Sequence, residues 1–210
     1  MVWFQFATDW ENRGIQGFCC GHGEACPKIE VMIMWYVIQT RLGEEDELIT
    51  MIKQIVPKEY YEECFSIRRE RFRKVGGEYE IDLYPLFPAY VFVVTDNPAR
   101  IFLELKRVPK LTKLLSDQQD SFFCVDKEEE TFLRSVQDEQ HVVRRSLVEV
   151  DEEGQIIWAD GPVGVYYDRI VKQRLRKRYV WIEQEFLGRK RQVYLGIRLK
   201  EDKVNEEKSV

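Results

Sequence analysis

Histidine is nearly missing from these 210 residues: there are two, His22 and His141. No glycine-rich phosphate loop, nucleophile elbow or paired-carboxylate constellation is present, so the chain is not read as an enzyme and no cofactor is expected. Long apolar runs are missing too. None approaches the roughly 20 residues that a membrane helix needs. The longest, residues 31–38, is interrupted by Trp35 and Tyr36 and reads as a buried strand. The five cysteines (Cys19, Cys20, Cys26, Cys64, Cys124) are odd in number and scattered, which excludes a disulfide framework. With no secretory pattern at the start, a reducing cytoplasm is the expected compartment. Repeats and low-complexity tracts are also lacking. No membrane contact is expected, and the chain reads as a monomer.

What is present is enough for a core: 44% of the residues are hydrophobic and 33% charged. The net charge of −5 is unevenly spread. Residues 34–154 carry 17 basic and 25 acidic groups, whereas residues 155–200 carry 11 and 4. An acidic module joined to a basic one suggests different partners for each. The basic one suits nucleic acid, and a plain solvated face fits the same charge.

Residues 1–33 follow neither helix nor strand periodicity. Cys19, Cys20, His22 and Cys26 offer four zinc-type ligands, but not at the usual Cys-x2-Cys spacing, so no metal site is assigned. Regular patterning begins directly after Met34. Glu30-Val31 can be encoded by a sequence resembling a ribosome-binding site, so residues 1–33 are expected to be a non-native or disordered leader.

Trp35–Thr40 is β-branched and aromatic, a buried strand. Glu44–Val56 places Leu48, Ile49, Ile52 and Ile55 at helical spacing, with acids in the first turn where the helix dipole favours them. Tyr61–Lys74 alternates as a strand, Gly76-Gly77 signals a hairpin, and Glu78–Tyr84 returns. Pro85-Leu86-Phe87-Pro88 is a constrained corner before the central strand Ala89–Thr95. Asn97-Pro98 caps a helix, Phe122–Val125 is a short strand, and Asp126 with Glu129 forms a capping-box spacing. The expected fold over 34–137 is α+β, an antiparallel sheet with flanking helices. Residues 138–154 read as a linker. Residues 155–200 show the turn Asp160-Gly161-Pro162 and three alternating runs, Val165–Val171, Arg178–Phe186 and Arg191–Leu199. That pattern predicts a small all-β, SH3-like barrel. Residues 201–210 form a charged tail.

Three features together carry a family resemblance: Trp35-Tyr36-Val37-Ile38-Gln39-Thr40, the corner and strand Pro85–Val93, and the segment from Asp160-Gly161-Pro162 to Ile197. They resemble, in order, the N-terminal (NGN) and C-terminal KOW domains of the NusG transcription elongation factors. Val108-Pro109, Leu111–Leu115 and the basic Arg174–Arg178 turn resemble the specialised LoaP paralogues. Three places depart from the family pattern. Ala89 stands where glycine is usual, and its methyl needs a negative φ. The KOW loop reads Gly161-Pro162-Val163-Gly164-Val165, with its glycine one place early, and Ser116 stands where glycine is frequent.

The resemblance implies a factor that rides RNA polymerase and promotes processive antitermination on particular operons with a leader nucleic-acid signal. It implies docking on the clamp helices of the largest polymerase subunit through Tyr90 and Phe92, alternate residues on one strand face, with Phe87 and Trp35 as further members. An aromatic residue in a central strand is more often core than interface. Arg41, Arg68, Arg69, Arg71, Arg73 and Lys74 are candidates for nucleic-acid contact. In the C-terminal domain, Lys172, Arg174, Arg176, Lys177 and Arg178 cluster beside Tyr179 and Trp181, a pairing that suits phosphates and stacked bases, as in a leader RNA hairpin or DNA. The resemblance equally allows a small ribosomal protein or the terminator Rho as the C-terminal partner. The alternative from another class is a KOW-type RNA-binding or ribosome-associated protein that never touches polymerase.

Overall fold

The strand Met34–Gln39 (β1) alternates so that Trp35 and Val37 point to one side of its sheet and Tyr36 and Ile38 to the other. The computed structural model describes residues 33–75, 78–109, 122–200 and 202. The leader, its Cys/His group, most of the LoaP-like stretch with Ser116, and the tail from 203 lie outside the described residues. The described residues form one compact unit. Among the described residues, no helix is long and apolar enough to cross a membrane.

The helix α1 (Glu45–Ile55) follows a turn at Gly43 (φ +83°) and buries Leu48 and Ile52. Strand β2 (Glu63–Phe65) is short. The single strand expected over 61–74 is broken after Phe65, and β3 (Arg68–Val75) pairs instead with β4 (Glu78–Pro85) in a second sheet. Strand β5 (Tyr90–Thr95) is buried along its whole length because both faces are covered. Asn97 caps α2 (Pro98–Leu105), with Pro98 in its first turn and the Asn97 side chain accepting from the Arg100 amide at 3.0 Å. After β6 (Phe122–Cys124), Asp126 and Glu129 close a reciprocal capping box at the start of α3 (Lys127–Val136).

The first sheet runs β2-β5-β1-β6, all antiparallel. One face packs Tyr36, Ile38, Val91 and Val93 under Leu48 and Ile52 of α1 and Ile101 and Leu105 of α2. The other carries Trp35, Val37, Tyr90, Phe92 and Val94. Helix α3 brings Phe132, Leu133 and Val136 to that second face.

The stretch expected to be a linker contains two strands. Strand β7 (Val142–Val143) pairs in parallel with β3, and β8 (Ser146–Val150) pairs in parallel with the last strand. Asp138 makes this ordering possible, because its carboxylate accepts from the amides of Gln140 and Val142 at 2.9 Å each and from Arg144 at 2.7 Å. His141 (φ +59°) stacks on Phe65 at 3.5 Å and reaches Glu63 at 2.8 Å.

A five-stranded C-terminal sheet follows, in the order β10-β11-β12-β8-β9. Its further members are β9 (Ile156–Ala159), β10 (Ile170–Arg174), β11 (Tyr179–Phe186) and β12 (Arg189–Leu199), with a single-turn helix α4 (Gly161–Val165) after β9. The expected strand Val165–Val171 is thus replaced by α4, a 3-10 turn over Tyr167–Arg169 and the start of β10. Asp160 favours the helix, since its side chain accepts from the Gly161 amide ahead of Pro162. The two edge strands are tied by side chains. Gln173 on β10 donates to the Gly154 carbonyl at 3.2 Å and accepts from the Ile156 amide at 3.3 Å, and the Tyr167 hydroxyl donates to the Ile156 carbonyl.

A candidate docking face and a candidate nucleic-acid face

The aromatic face of the first sheet begins with residue spacing. Tyr90 and Phe92 are two apart on β5, and Val94 is the cross-strand partner of Trp35 on β1, so all four share one side. Phe87 joins them from the corner before β5. The turn from that corner into β5 relies on Ala89, which adopts φ +68°, contrary to the expected negative value. The left-handed backbone is held because the buried Glu45 carboxylate accepts from the Ala89 amide at 2.6 Å, while the Ala89 carbonyl accepts from the Thr40 amide at 2.8 Å.

All four expected docking residues are buried, Trp35 at 2%, Phe87 at 6%, Tyr90 at 8% and Phe92 at 0% exposure. Their own helices cover only part of this face. Helix α3 reaches Trp35, where the Arg134 guanidinium lies 4.7 Å over the ring. Phe186, at the end of β11, covers the rest. Its ring lies 4.4 Å from Phe87, 6.1 Å from Tyr90 and 6.3 Å from Phe92. Arg191 on β12 adds a hydrogen bond to the Tyr90 hydroxyl at 2.8 Å. One buried cluster therefore runs from Trp35 through Phe186 to Ile197.

Two polar contacts fasten this cover. The Leu187-Gly188 turn of the β11–β12 hairpin has positive φ at both residues, +53° and +65°, the requirement of a two-residue hairpin loop. The turn aims the Leu187 amide at Glu129, 2.5 Å away. Glu129 is thus shared: one carboxylate oxygen accepts from the Asp126 amide at the start of its own helix (3.1 Å), the other from the hairpin turn. Burial pushes the Glu129 carboxyl above the ordinary glutamate range, although the amides of Asp126, Leu187 and Gly188 pull the other way. Farther along α3, Phe132 and Ser135 meet Tyr166, with the rings 5.0 Å apart and the hydroxyls at 2.5 Å.

The basic candidates divide sharply. Arg41 is exposed. Arg68 is paired with Asp46, Arg71 with Asp82 at 2.6 Å, and Arg73 with the same carboxylate at 3.6 Å. These hairpin charges have acidic partners within the molecule. The reason is register: Arg71 lies directly opposite Asp82. Lys74 lies on β3 with its side chain outside the described part. Arg69 is buried, between the rings of Tyr84 and Tyr194 at 5.5 Å from each. Burial, helped by the neighbouring Arg71 charge, holds its guanidinium below the usual value.

In the C-terminal sheet, Lys172, Arg174, Arg176 and Lys177 are exposed, and no acidic partner is seen for them among the described residues. Arg178 is different. Its guanidinium is clamped by Asp202 at 2.5–3.0 Å, so it drops out of the free basic group. Tyr179 and Trp181 stand on the outer face, opposite Val180 and Ile182, and Tyr194 joins them there, with ring separations of 5.2–6.2 Å. Lys172 sits 4.8 Å over Trp181. The three rings are half-buried rather than open, because the β3–β4 hairpin crosses part of this face. Among the described residues, no group of three or more His, Cys, Asp or Glu is placed to hold a metal.

Residues 33–134 match the NusG family, described as "Transcription termination factor nusG". The matching residues 33–134 contain the first sheet, helices α1 and α2 and all four aromatic docking candidates. A solved structure described as "Domain interaction in Thermotoga maritima NusG" is also similar, at 15% identity and a TM-score of 0.37, covering 79% of this chain and 94% of that one. No curated protein matches the sequence.

Sequence reasoning missed Phe186, Glu129, Arg191 and Tyr166 as members of the site. Phe186 had a partial signal, since it continues the inward series Val180, Ile182, Gln184 to the last residue of its strand. Nothing local shows that the strand ends against another sheet.

Proposed function

We propose that this chain is a transcription elongation factor that docks on RNA polymerase through Trp35, Phe87, Tyr90 and Phe92, and that the C-terminal sheet closes this face until it is displaced. The NusG-family match over 33–134 supports the transcription role. The observation that carries the docking reading is the cover itself. Helix α3 covers the Trp35 end of the first sheet's aromatic face, but the end made by Phe87 and Tyr90 is sealed by Phe186 from a different sheet. A sheet face only partly covered by its own helices needs a partner for the remainder. The C-terminal sheet and a polymerase surface then compete for the same area, and binding becomes a population shift.

In the finer reading, the docking partner is the clamp-helix pair of the largest subunit, and residues 155–200 are a KOW domain. The factor is a LoaP-like antiterminator serving particular operons, recruited by a leader nucleic-acid signal. A closed resting state supports selective use, because a factor with its docking face sealed does not load on every polymerase. The exposed cations of β10 and the following turn, beside Trp181, support nucleic-acid contact by the C-terminal sheet. Once released, that sheet offers Phe186 and Leu187 to a protein partner such as a small ribosomal protein or Rho.

The test is capture by core RNA polymerase, each variant checked for folding by circular dichroism. We expect weak capture of the intact chain and stronger capture of Phe186→Ala and Glu129→Ala, which loosen the cover. Tyr90→Ala combined with Glu129→Ala loses capture. If both opening variants ignore polymerase, the reading is overturned. The KOW-type RNA-binding or ribosome-associated alternative then stands, and the exposed cations of β10 favour it over other classes.

A further inference from the structure

The outer face of the C-terminal sheet is already occupied in part by a cation from its own chain. Cross-strand pairing puts Lys172, Trp181 and Tyr194 in one row and Arg174, Tyr179 and Gly196 in the next. These rows join aromatic rings to exposed cations, the combination that binds unpaired nucleotides by stacking and phosphate contact. Into this face β3 inserts Arg69, whose guanidinium lies over Tyr194 and is buried to 8% exposure. The insertion depends on Gly196. A Cβ there would sit 2.6 Å from the Glu70 carbonyl and 2.8 Å from Arg145 Cγ, so only glycine lets the hairpin backbone lie this close.

The geometry points to Arg69 as an internal competitor for the nucleic-acid face of the C-terminal sheet. A stacked guanidinium takes the ring surface that a base would use. The ligand class is a single strand of unpaired nucleotides, whether RNA or DNA. Such a strand binds best when the β3–β4 hairpin has left Tyr194, so its binding favours separation of the C-terminal sheet from the NusG-family segment. By linkage, separation favours the strand equally. Nucleic acid is thereby an opener of the aromatic docking face. This rests on the nucleic-acid part of the proposed function and gives Arg69 a role opposite in sign to phosphate contact.

That sign is the test. Fluorescence anisotropy with labelled oligouridylate and the matching oligothymidylate is read on the full chain and its variants. A phosphate-binding arginine, when removed, weakens binding and lowers the salt slope. A competitor, when removed, tightens it: Arg69→Ala is expected to bind about fivefold tighter, the scale on which a desolvated cation–aromatic contact shifts a closed population. Gly196→Ala, which displaces the hairpin without removing a charge, is expected to tighten binding in the same direction. Lys172→Ala with Arg174→Ala, both exposed and safe for folding, is expected to weaken it. If that double variant leaves binding unchanged, the nucleic-acid reading itself fails. If it weakens binding while Arg69→Ala and Gly196→Ala do not tighten it, the competitor role alone is overturned. The two oligonucleotides tell whether the sugar matters.

Discussion

Replacing Phe186 by alanine removes the plug of the aromatic face. The Phe186 side chain is fully buried, and among the described residues its ring neighbours Phe87, Tyr90 and Phe92 all lie within residues 33–134. Truncating a buried phenylalanine costs roughly 3–5 kcal/mol. Because those ring contacts cross between the two sheets, most of the cost falls on the closed state and little on the opened one. The closed-to-open ratio should fall by on the order of 10²–10³, at about 1.4 kcal/mol per factor of ten. Native-state hydrogen exchange reads this directly. The Leu187 amide, which donates to Glu129, should lose protection by that factor. The amides of Val180 and Ile182, inside the β10–β11–β12 ladder, should keep theirs. Equal acceleration of all three would refute the reasoning, since it would make Phe186 part of the C-terminal sheet's own core. Unchanged exchange at Leu187 would refute it as well.

Ala89→Gly should raise stability by about 1 kcal/mol, because φ +68° strains an L-residue and suits glycine, and a thermal melt measures it. The same melts followed down in pH should show stability lost below about pH 4, the ordinary aspartate range. Burial works to raise the carboxyls of Asp138 and Asp202, but hydrogen bonds from Arg144 and backbone amides, and from Arg178 and the Leu199 amide, outweigh it and hold both below their ordinary value. A carboxylate depressed in the folded state contributes its stability above its unfolded pKa, and the contribution disappears as pH falls through the folded one. Asp138→Asn should lower stability near neutral pH and flatten this acid limb.

Much of the local structure was readable because it rests on short-range rules. Asn97 before Pro98, and Asp126 with Glu129, announce helix starts through donors that lie within four residues. The stretch 138–154 was not readable as strands. Its polar residues suggest a loop, and although β9 lies close by, its other pairing partners, β3 and β12, lie far away in sequence. The ion pairs of the basic hairpin were not readable for a related reason. Charge counts say nothing of register, and register sets Arg71 against Asp82.

By itself, then, the sequence determined which side chains share a face. A period of two puts Tyr90 with Phe92, and Tyr179 with Trp181, whatever surrounds them. Only the tertiary structure decided what each face meets. Phe186 lies on the aromatic face of the first sheet, Arg69 lies on Tyr194, and the second oxygen of Glu129 meets the Leu187 amide. Alternation marks a face as apolar or charged, but which two faces close on each other depends on where a distant strand ends and how closely its backbone can approach.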